Sequence, residues 1–428
     1  MFTKKTIRDI DIAPGKRVLL RADYNVPVEH GRITAGYRIE QSLPTIKALL
    51  AKKVKLIICS HLGRPDVKRD PAASLKPVAK RLSELLGQAV AFAPDCIGPE
   101  VEKMADDLKP GQVLLLENLR FHSEEEANDD NFAKQLAGLA DVFVQDAFGV
   151  AHRAHASTDA VTRHLPSVAG LLLEKEVDIL TNVMQKPERP LAAIIGGAKI
   201  ADKIEVLTKL VYMADFVAIA GAMGNTFLAA QGTHLGKSKY DKEELDLARD
   251  IMEKAEKKSK KGNFVFFLPR DGVVAASIDK AAHTRIVDWD ADIIGEIQSY
   301  PKPPARDTHT IAADEMILDI GPFSSAFIAG GVQLAKTVVW NGTLGITEVP
   351  SLHGPVGPFA HGTELLMEAL SGDFGGRPFT VVGGGDTAGY VEQRKLTSAF
   401  NHVSTGGGAS LELMAGRKLP AVEALQNK

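Results

Sequence analysis

Short apolar runs alternate with helical patterns along most of the chain, and nearly every run ends in a small or polar loop. Val18-Leu19-Leu20, Val54 to Cys59, Ala89 to Phe92, Gln112 to Leu116 and Val142-Phe143-Val144 read as strands. Between them, Tyr37 to Ala51, Leu75 to Leu86, Val101 to Leu108 and Asn131 to Leu139 read as helices. The first shows its period plainly, with Ile39, Leu43, Ile46 and Leu50 on one face. Runs that are apolar throughout belong to strands buried on both sides, which requires helices on both faces of a parallel sheet. The expected class is therefore α/β with a largely parallel sheet.

The rhythm pauses at Lys186-Pro187-Glu188-Arg189-Pro190 and then resumes. Leu191 to Ile195, Phe216 to Ile219, Phe264 to Leu268, Thr337 to Trp340 and Phe379 to Val382 are the later strands, and Met316 to Asp319 leads into Ile320-Gly321-Pro322. Glu243 to Lys261 reads as a charged covering helix whose lysines are solvated. A chain of 428 residues exceeds what one core usually supports. The expectation is two Rossmann-like domains with mostly parallel sheets facing each other across a cleft, joined by the helix Leu171 to Met184 and a hinge. The first spans residues 1–185 and the second starts at 186. The polar stretch Asp288 to Asp314, with Tyr300-Pro301-Lys302-Pro303-Pro304, has no assigned role.

A formal charge of -3 gives no overall bias toward nucleic acid or an anionic membrane. Only Cys59 and Cys96 are present, and Cys59 reads as a core thiol. The N-terminal residues lack an apolar signal core, and no stretch approaches a membrane span. A soluble cytoplasmic protein is expected.

In open α/β sheets, ligands sit beyond the carboxyl ends of the strands. Here those ends carry Asp23 and Asn25, then His61 and Arg64, then Arg120; Arg153 follows a further strand, and Arg38 starts a helix. Singly, each arginine reads as a solvated surface residue. As a set they suit a small, highly anionic, hydroxylated molecule, because guanidinium binds phosphate or carboxylate with two parallel bonds.

The second half carries different chemistry. Gly196-Gly197 follows a buried strand, and Lys199 and Lys203 come at i and i+4, read as one face of the next helix. Alone, this is equally an ordinary βα turn with two solvated lysines. Ala220 to Thr226 reads as a small, flexible loop. Gly221 to Gly224 and Gly321 are read as leaving room for an adenine ring, and Glu348 as accepting from ribose hydroxyls. Gly383-Gly384-Gly385-Asp386-Thr387 closes another strand. Its glycines permit close approach of a phosphate, Asp386 suits Mg²⁺, and Thr387 suits a phosphate oxygen or a helix cap. No Walker A loop and no dinucleotide fingerprint is present in these turns. Two half-sites follow, one for an anion and one for a nucleotide, and phosphoryl transfer between them needs closure and exclusion of water.

In their order and spacing these motifs closely resemble the phosphoglycerate kinase family over nearly the whole chain. The resemblance rests on Arg21-Ala22-Asp23-Tyr24-Asn25-Val26-Pro27, Ser60-His61-Leu62-Gly63-Arg64-Pro65, Glu117-Asn118-Leu119-Arg120-Phe121 and Ala151-His152-Arg153-Ala154-His155-Ala156-Ser157. It rests also on Gly196-Gly197-Ala198-Lys199, Asp319-Ile320-Gly321-Pro322, Trp340-Asn341-Gly342, Gly383 to Thr387 and Ser404 to Ser410. The resemblance implies reversible phosphoryl transfer between 1,3-bisphosphoglycerate with MgADP and 3-phosphoglycerate with MgATP, by a cytoplasmic monomer of glycolysis and gluconeogenesis. It implies that Asp23, Asn25, Arg38, His61, Arg64, Arg120 and Arg153 hold the phosphoglycerate. Lys199, Lys203, Gly221, Gly321, Asn341, Glu348, Gly384, Gly385, Asp386 and Thr387 match the nucleotide side, with Asp386 nearest the metal. Arg38, Lys199, Gly384 and Gly407 match positions facing the transferring group. The nucleotide domain would run over 186–405, and the segment 406–428 would return to the first domain.

The chain departs from the family pattern in places. Gln145 stands where asparagine is usual, and Thr343-Leu344-Gly345-Ile346-Thr347-Glu348 replaces a proline-bearing sequence thought to start a helix. Extra residues including Pro350, Gly354, Pro355, Gly357 and Pro358 follow Glu348, and the Asp288 to Asp314 region is longer. Two rival readings remain: an acyl-phosphate-forming kinase for another acid, and a non-catalytic protein that keeps the fold.

Overall fold

The computed structural model describes residues 2–65, 69–290 and 309–428. Contacts divide the chain into two units, Met1–Met184 with Thr405–Lys428, and Gln185–Ser404.

Unit 1 is built on six parallel strands. These are β1 (Arg17–Arg21), β4 (Lys55–Cys59), β5 (Val90–Phe92), β6 (Val113–Leu115), β7 (Val142–Gln145) and β8 (Ser167–Ala169). Their order is β5-β6-β4-β1-β7-β8. A small hairpin, β2 (Val28–Glu29) and β3 (Arg32–Ile33), follows β1. The helices are α1 (Tyr37–Ala51), α2 (Lys76–Leu86), α3 (Pro99–Asp107), α4 (Ser123–Glu126), α5 (Asp130–Gly138) and α6 (Leu171–Gln185). Alternate strand residues feed two cores. Leu20, Ile58 and Leu115 pack with α1 and α2, while Leu19, Ile57 and Leu114 pack with α3 and α5. This two-sided burial is why the strands read as continuous apolar runs. In this sheet β8 is the strand that sequence reading missed, as it missed the β2–β3 hairpin, because two or three residues carry too little period.

Unit 2 repeats the plan. Its strands are β9 (Leu191–Ile195), β10 (Phe216–Ile219), β11 (Val265–Phe267), β12 (Asp271–Ala275), β13 (Arg285–Asp288), β14 (Met316–Ile320), β15 (Thr337–Asn341), β16 (Phe379–Gly383) and β17 (His402–Val403). The main sheet is parallel, ordered β11-β10-β9-β15-β16-β17. That is the doubly wound order with its switch between β9 and β15. Its helices are α7 (Ile204–Met213), α8 (Gly221–Ala230), α9 (Leu245–Ser259), α10 (Pro322–Gln333), α11 (His361–Ser371) and α12 (Gly385–Gln393).

Met316–Ile320, not assigned from the sequence, pairs antiparallel with β12 in a separate three-stranded sheet ordered β13-β12-β14. Two expectations need correction. Ala220 to Thr226 is no flexible loop, since α8 begins at Gly221. No helix starts at Thr343, and the next one is α11. The turn is instead tied by Leu344 N–H to Thr363 Oγ1 (3.0 Å) and Ile346 N–H to Leu318 O (3.0 Å). Most of the unassigned polar stretch, including residues 300–304, lies outside the described residues.

The last helices, α13 (Gly408–Ala415) and α14 (Pro420–Glu423), belong to unit 1. Lys5 N–H donates to Gln426 O (2.8 Å) and Gln426 N–H to Ser167 O (3.1 Å), so the C-terminal segment seals the first sheet's edge. No described helix is long and apolar enough to cross a membrane.

Buried carboxylates fix several helix starts. Asp146 Oδ1 accepts from Leu172 and Leu173 N–H (2.9 and 3.1 Å), and Thr45 Oγ1 accepts from Leu171 N–H (3.0 Å), capping α6. Burial pushes Asp146 up to about 7 against these bonds. Asp271 caps α10 through Phe323 and Ser324 N–H (both 2.9 Å), and Asp319 holds Gly362 N–H (2.9 Å) at the start of α11.

Candidate active site

In unit 1 the loops after β1, β4, β6 and β7 converge beyond the carboxyl ends of the strands, as the topology demands. Arg38, in the first turn of α1, donates to Asn25 O (2.8 Å) and lies 3.5 Å from Asp23 Oδ2. Asn25 Oδ1 accepts from Gly63 N–H (2.9 Å), and Gly63 O accepts from Arg120 Nη1 (2.8 Å). Arg120 and Arg153 share Glu126, at 3.0 and 4.0 Å. The chain of contacts links Asp23, Asn25, Arg38, Arg120 and Arg153 in one cluster. Arg64 is exposed in the Gly63 loop, and no described residue holds it by a hydrogen bond or ion pair.

The floor under this cluster was not foreseen. Arg21 is buried at the end of β1, with Nε on Ser157 Oγ (2.8 Å) and Nη2 3.3 Å from His61 Nδ1. A guanidinium only donates, so His61 Nδ1 accepts and its proton sits on Nε2. Burial, then the charges of Arg21, Arg120 and Arg38, push His61 well below the usual imidazole range and keep it neutral. His155 is pushed down to about 4 by burial and then the charges of Arg21, Arg120 and Arg153. Glu125, fully buried, binds Ser157 through its N–H (2.9 Å) and hydroxyl (2.6 Å) and lies 3.9 Å from Arg21. Burial raises Glu125, whereas Arg21 pulls it down. The sequence signal was Arg21 itself, a charge at the end of an apolar run.

The Gly406–Gly408 turn also lies in unit 1. A Cβ on Gly406 would strike Phe148, and one on Gly408 would come within 3.0 Å of His152 Nε2. Gly407 precedes α13, and Thr405 anchors the turn by giving both N–H and hydroxyl to Glu176 Oε1 (both 2.7 Å).

In unit 2 the switch point is made of backbone. A Cβ on Gly196 would stand 2.0 Å from Thr343 O, and one on Gly342 (φ +103°) 2.3 Å from the Gly196 carbonyl carbon. Lys199 and Lys203 do not share a helix face. Lys199 is exposed in the turn before α7, where no described residue pairs with it. Lys203 folds back onto Gly196 O (2.6 Å) and is lowered to about 8 by burial, against the pull of Asp386 and Asp202. Glu244, another residue sequence reading missed, fixes the lysine turn by accepting Ile200 and Ala201 N–H (2.7 and 2.8 Å).

Asn341 ends β15 beneath the Gly383-Gly384 turn. Both its amide atoms are buried and without a hydrogen-bond partner. A Cβ on Gly383 would come within 3.0 Å of Asn341 Nδ2. Buried polar groups are almost always paired, so an orphaned amide at this strand end stands out. Gly384 (φ +91°) caps α12, Gly385 and Asp386 are exposed in its first turn, and Thr387 Oγ1 accepts from Gly342 N–H (2.8 Å). A cavity of about 370 Å³ is lined by Gly221, Glu348 and Asp386 with Ile320, Leu344 and Trp289. At Gly321 the Asp271 carboxylate fills the side-chain space, 2.2 Å from where a Cβ would stand.

A charge cluster in unit 1 and a glycine cradle in unit 2, each at the switch point of its own sheet, fit a kinase of a phosphorylated acid, and the relatives agree. The family model described as phosphoglycerate kinase matches residues 7–417. The chain belongs to the phosphoglycerate kinase family. The phosphoglycerate kinases of Pelotomaculum thermopropionicum and Moorella thermoacetica are 45% and 46% identical, each aligned over 100% of both chains. A solved phosphoglycerate kinase from Coxiella burnetii superposes with TM-score 0.76 at 35% identity, covering 98% of both chains. That from Pyrococcus horikoshii gives 0.80 at 29%, covering 99% of this chain and 98% of the other. As a phosphoglycerate kinase, the chain catalyses reversible phosphoryl transfer between 1,3-bisphosphoglycerate and 3-phosphoglycerate, a step of glycolysis. The family generally uses ATP or ADP with Mg²⁺. The readings as a kinase of another acid and as a non-catalytic protein fall away.

Proposed function

We propose that unit 1 holds the phosphoglycerate and unit 2 the nucleotide, and that phosphoryl passes directly in line between the two ligands. The linked cluster of Asp23, Asn25, Arg38, His61, Arg120 and Arg153 carries the reading. Arg120 and Arg153 supply positive charge, with Arg64 free to join them. Neutral His61 offers its Nε2–H, and Asp23 accepts from a hydroxyl. Arg38 faces the migrating group, and Gly407 presents backbone at the start of α13.

On the nucleotide side, Asn341 and the backbone of Gly384 and Gly385 receive phosphate oxygens, and Lys203 adds charge. Thr387 holds the turn through Gly342. Gly221 and Glu348, with the cavity they line, accept the nucleoside, with Gly321 next to the cavity-lining Ile320. Asp386 is the exposed carboxylate that fits Mg²⁺ beside this cradle. Bound there with the nucleotide, Mg²⁺ spreads the negative charge of its phosphates. Lys199, unpaired in the free protein, neutralises the transferring oxygens. The protein is proposed to act as a cytoplasmic monomer.

Arg38→Ala tests the division of labour. Turnover should fall by about 10³-fold, the scale of a lost transition-state cation, while MgADP binding by calorimetry stays nearly intact. Equal loss of MgADP affinity would overturn the assignment of the two ligands to separate units.

A further inference from the structure

Away from the arginine cluster, the loop after β5 and the turn after β6 bring three different donors together. Asp95, Cys96 and His122 each offer one ligand atom, and these atoms lie within 4.8 Å of one another. His122 Nε2 and Asp95 Oδ1 are 2.7 Å apart. The Asp95 carboxylate is oriented by Cys96 N–H (2.8 Å), and the His122 ring by its tilt against Phe132 at 5.3 Å. Cys96 is a free, buried thiol with no hydrogen-bond partner among the described residues. The Asp95 and His122 side chains are 22% and 21% exposed, whereas Cys96 is fully buried.

Imidazole, thiolate and carboxylate together suit Zn²⁺, whereas Mg²⁺ and Ca²⁺ take oxygen alone. Tetrahedral Zn²⁺ holds sulfur at about 2.3 Å and nitrogen or oxygen at about 2.0–2.2 Å. The His122 and Asp95 atoms would part by less than about 1 Å, and the sulfur would close in.

We propose that Asp95, Cys96 and His122 form a binding site for Zn²⁺ or a similar divalent cation, separate from the nucleotide's Mg²⁺, with water as fourth ligand. On binding, the Cys96 S–H bond breaks, its proton leaves to solvent, and the thiolate pair forms the metal bond; nothing is oxidised or reduced. Arg69, paired with Asp95 Oδ2, opposes the incoming charge. His122 directly follows the Leu119–Phe121 turn that carries Arg120, and its N–H bonds Leu119 O (3.1 Å). An occupied site would tie the β5 loop to that turn and so change the KM for 3-phosphoglycerate.

The full chain, stripped with chelator and titrated with Co²⁺, should show a thiolate-to-cobalt charge-transfer band that Zn²⁺ abolishes. Cys96→Ala should remove the band, and Cys59→Ala should keep it. His122→Gln should weaken Zn²⁺ competition by at least about tenfold, and Arg69→Gln should tighten it. Cobalt at the nucleotide site has only oxygen ligands and gives no such band. No band with excess Co²⁺, or one that survives Cys96→Ala, overturns the proposal. Should Cys96→Ala fail to fold, unchanged Zn²⁺ competition in His122→Gln overturns it independently.

Discussion

At the switch point of unit 1 the loops after β1 and β7 meet through side chains. The space a Cβ on Gly149 would need is already taken by the Asp23 carboxylate, and buried Arg21 and Glu125 lie beneath. At the switch point of unit 2 the loops after β9 and β15 meet through bare backbone, Gly196 against Gly342. The first site therefore comes charged and internally paired before any ligand arrives. The second offers an orphaned amide, an unpaired lysine and a glycine turn. Both sit on parallel sheets at equivalent places, so the fold sets where a ligand binds and the local residues set how ready the site is.

If unit 1 depends on its buried charges, removing one should damage folding most. Glu125→Ala strips Arg21 of its buried counter-charge and leaves the Ser157 N–H and hydroxyl proton without their acceptor. The expected cost is about 3 kcal/mol or more in denaturant unfolding of the first unit. A loss within ~0.5 kcal/mol would mean that Arg21 is satisfied by Ser157 and Ala22 alone.

Lys199 is expected to behave in the opposite way. Lys199→Ala should leave stability nearly unchanged, because the side chain is exposed and unpaired, yet lower kcat by about 10²–10³-fold. A lowered melting temperature would show that Lys199 is structural, and the contrast between the units would fail.

Asn341 sharpens the same point. Asn341→Leu removes two buried unsatisfied atoms, so the free protein should gain about 1 kcal/mol or more. Nucleotide binding should weaken in the same variant. Stability and affinity that fall together would place the amide in a structural network instead.

The smallest effect concerns pH. Lys203, lowered to about 8, loses its charge as pH rises through that value, so MgADP affinity should decline above about pH 8. Its folded value lies below the unfolded 10.5, so the penalty of burying the charge fades over the same rise and stability should improve slightly toward alkaline pH. Lys203→Arg should flatten the affinity profile, which calorimetry across about pH 7–9.5 would show.

The departures at Gln145 and Thr343 read differently once folded. Gln145 Oε1 accepts from Ala147 N–H (3.1 Å), while its Nε2 is buried without a partner. The turn after Gly342 needs no proline, because Thr363, Leu318 and the Gly221 N–H to Leu344 O bond (3.2 Å) already hold it.

Period and punctuation alone determined the α/β class, the two units and which loops carry the charged residues. Buried strands must be apolar and turns must be small or polar, and both constraints are local. Tertiary structure decided what is non-local: that Lys203 turns back to Gly196 instead of sharing a face with Lys199, that Asp271 fills the space beside Gly321, and that Glu244 and Glu125 support sites 43 and 32 residues away in sequence. A carboxylate's partner depends on which loops the sheet brings together, and the pattern of a single segment contains no record of that.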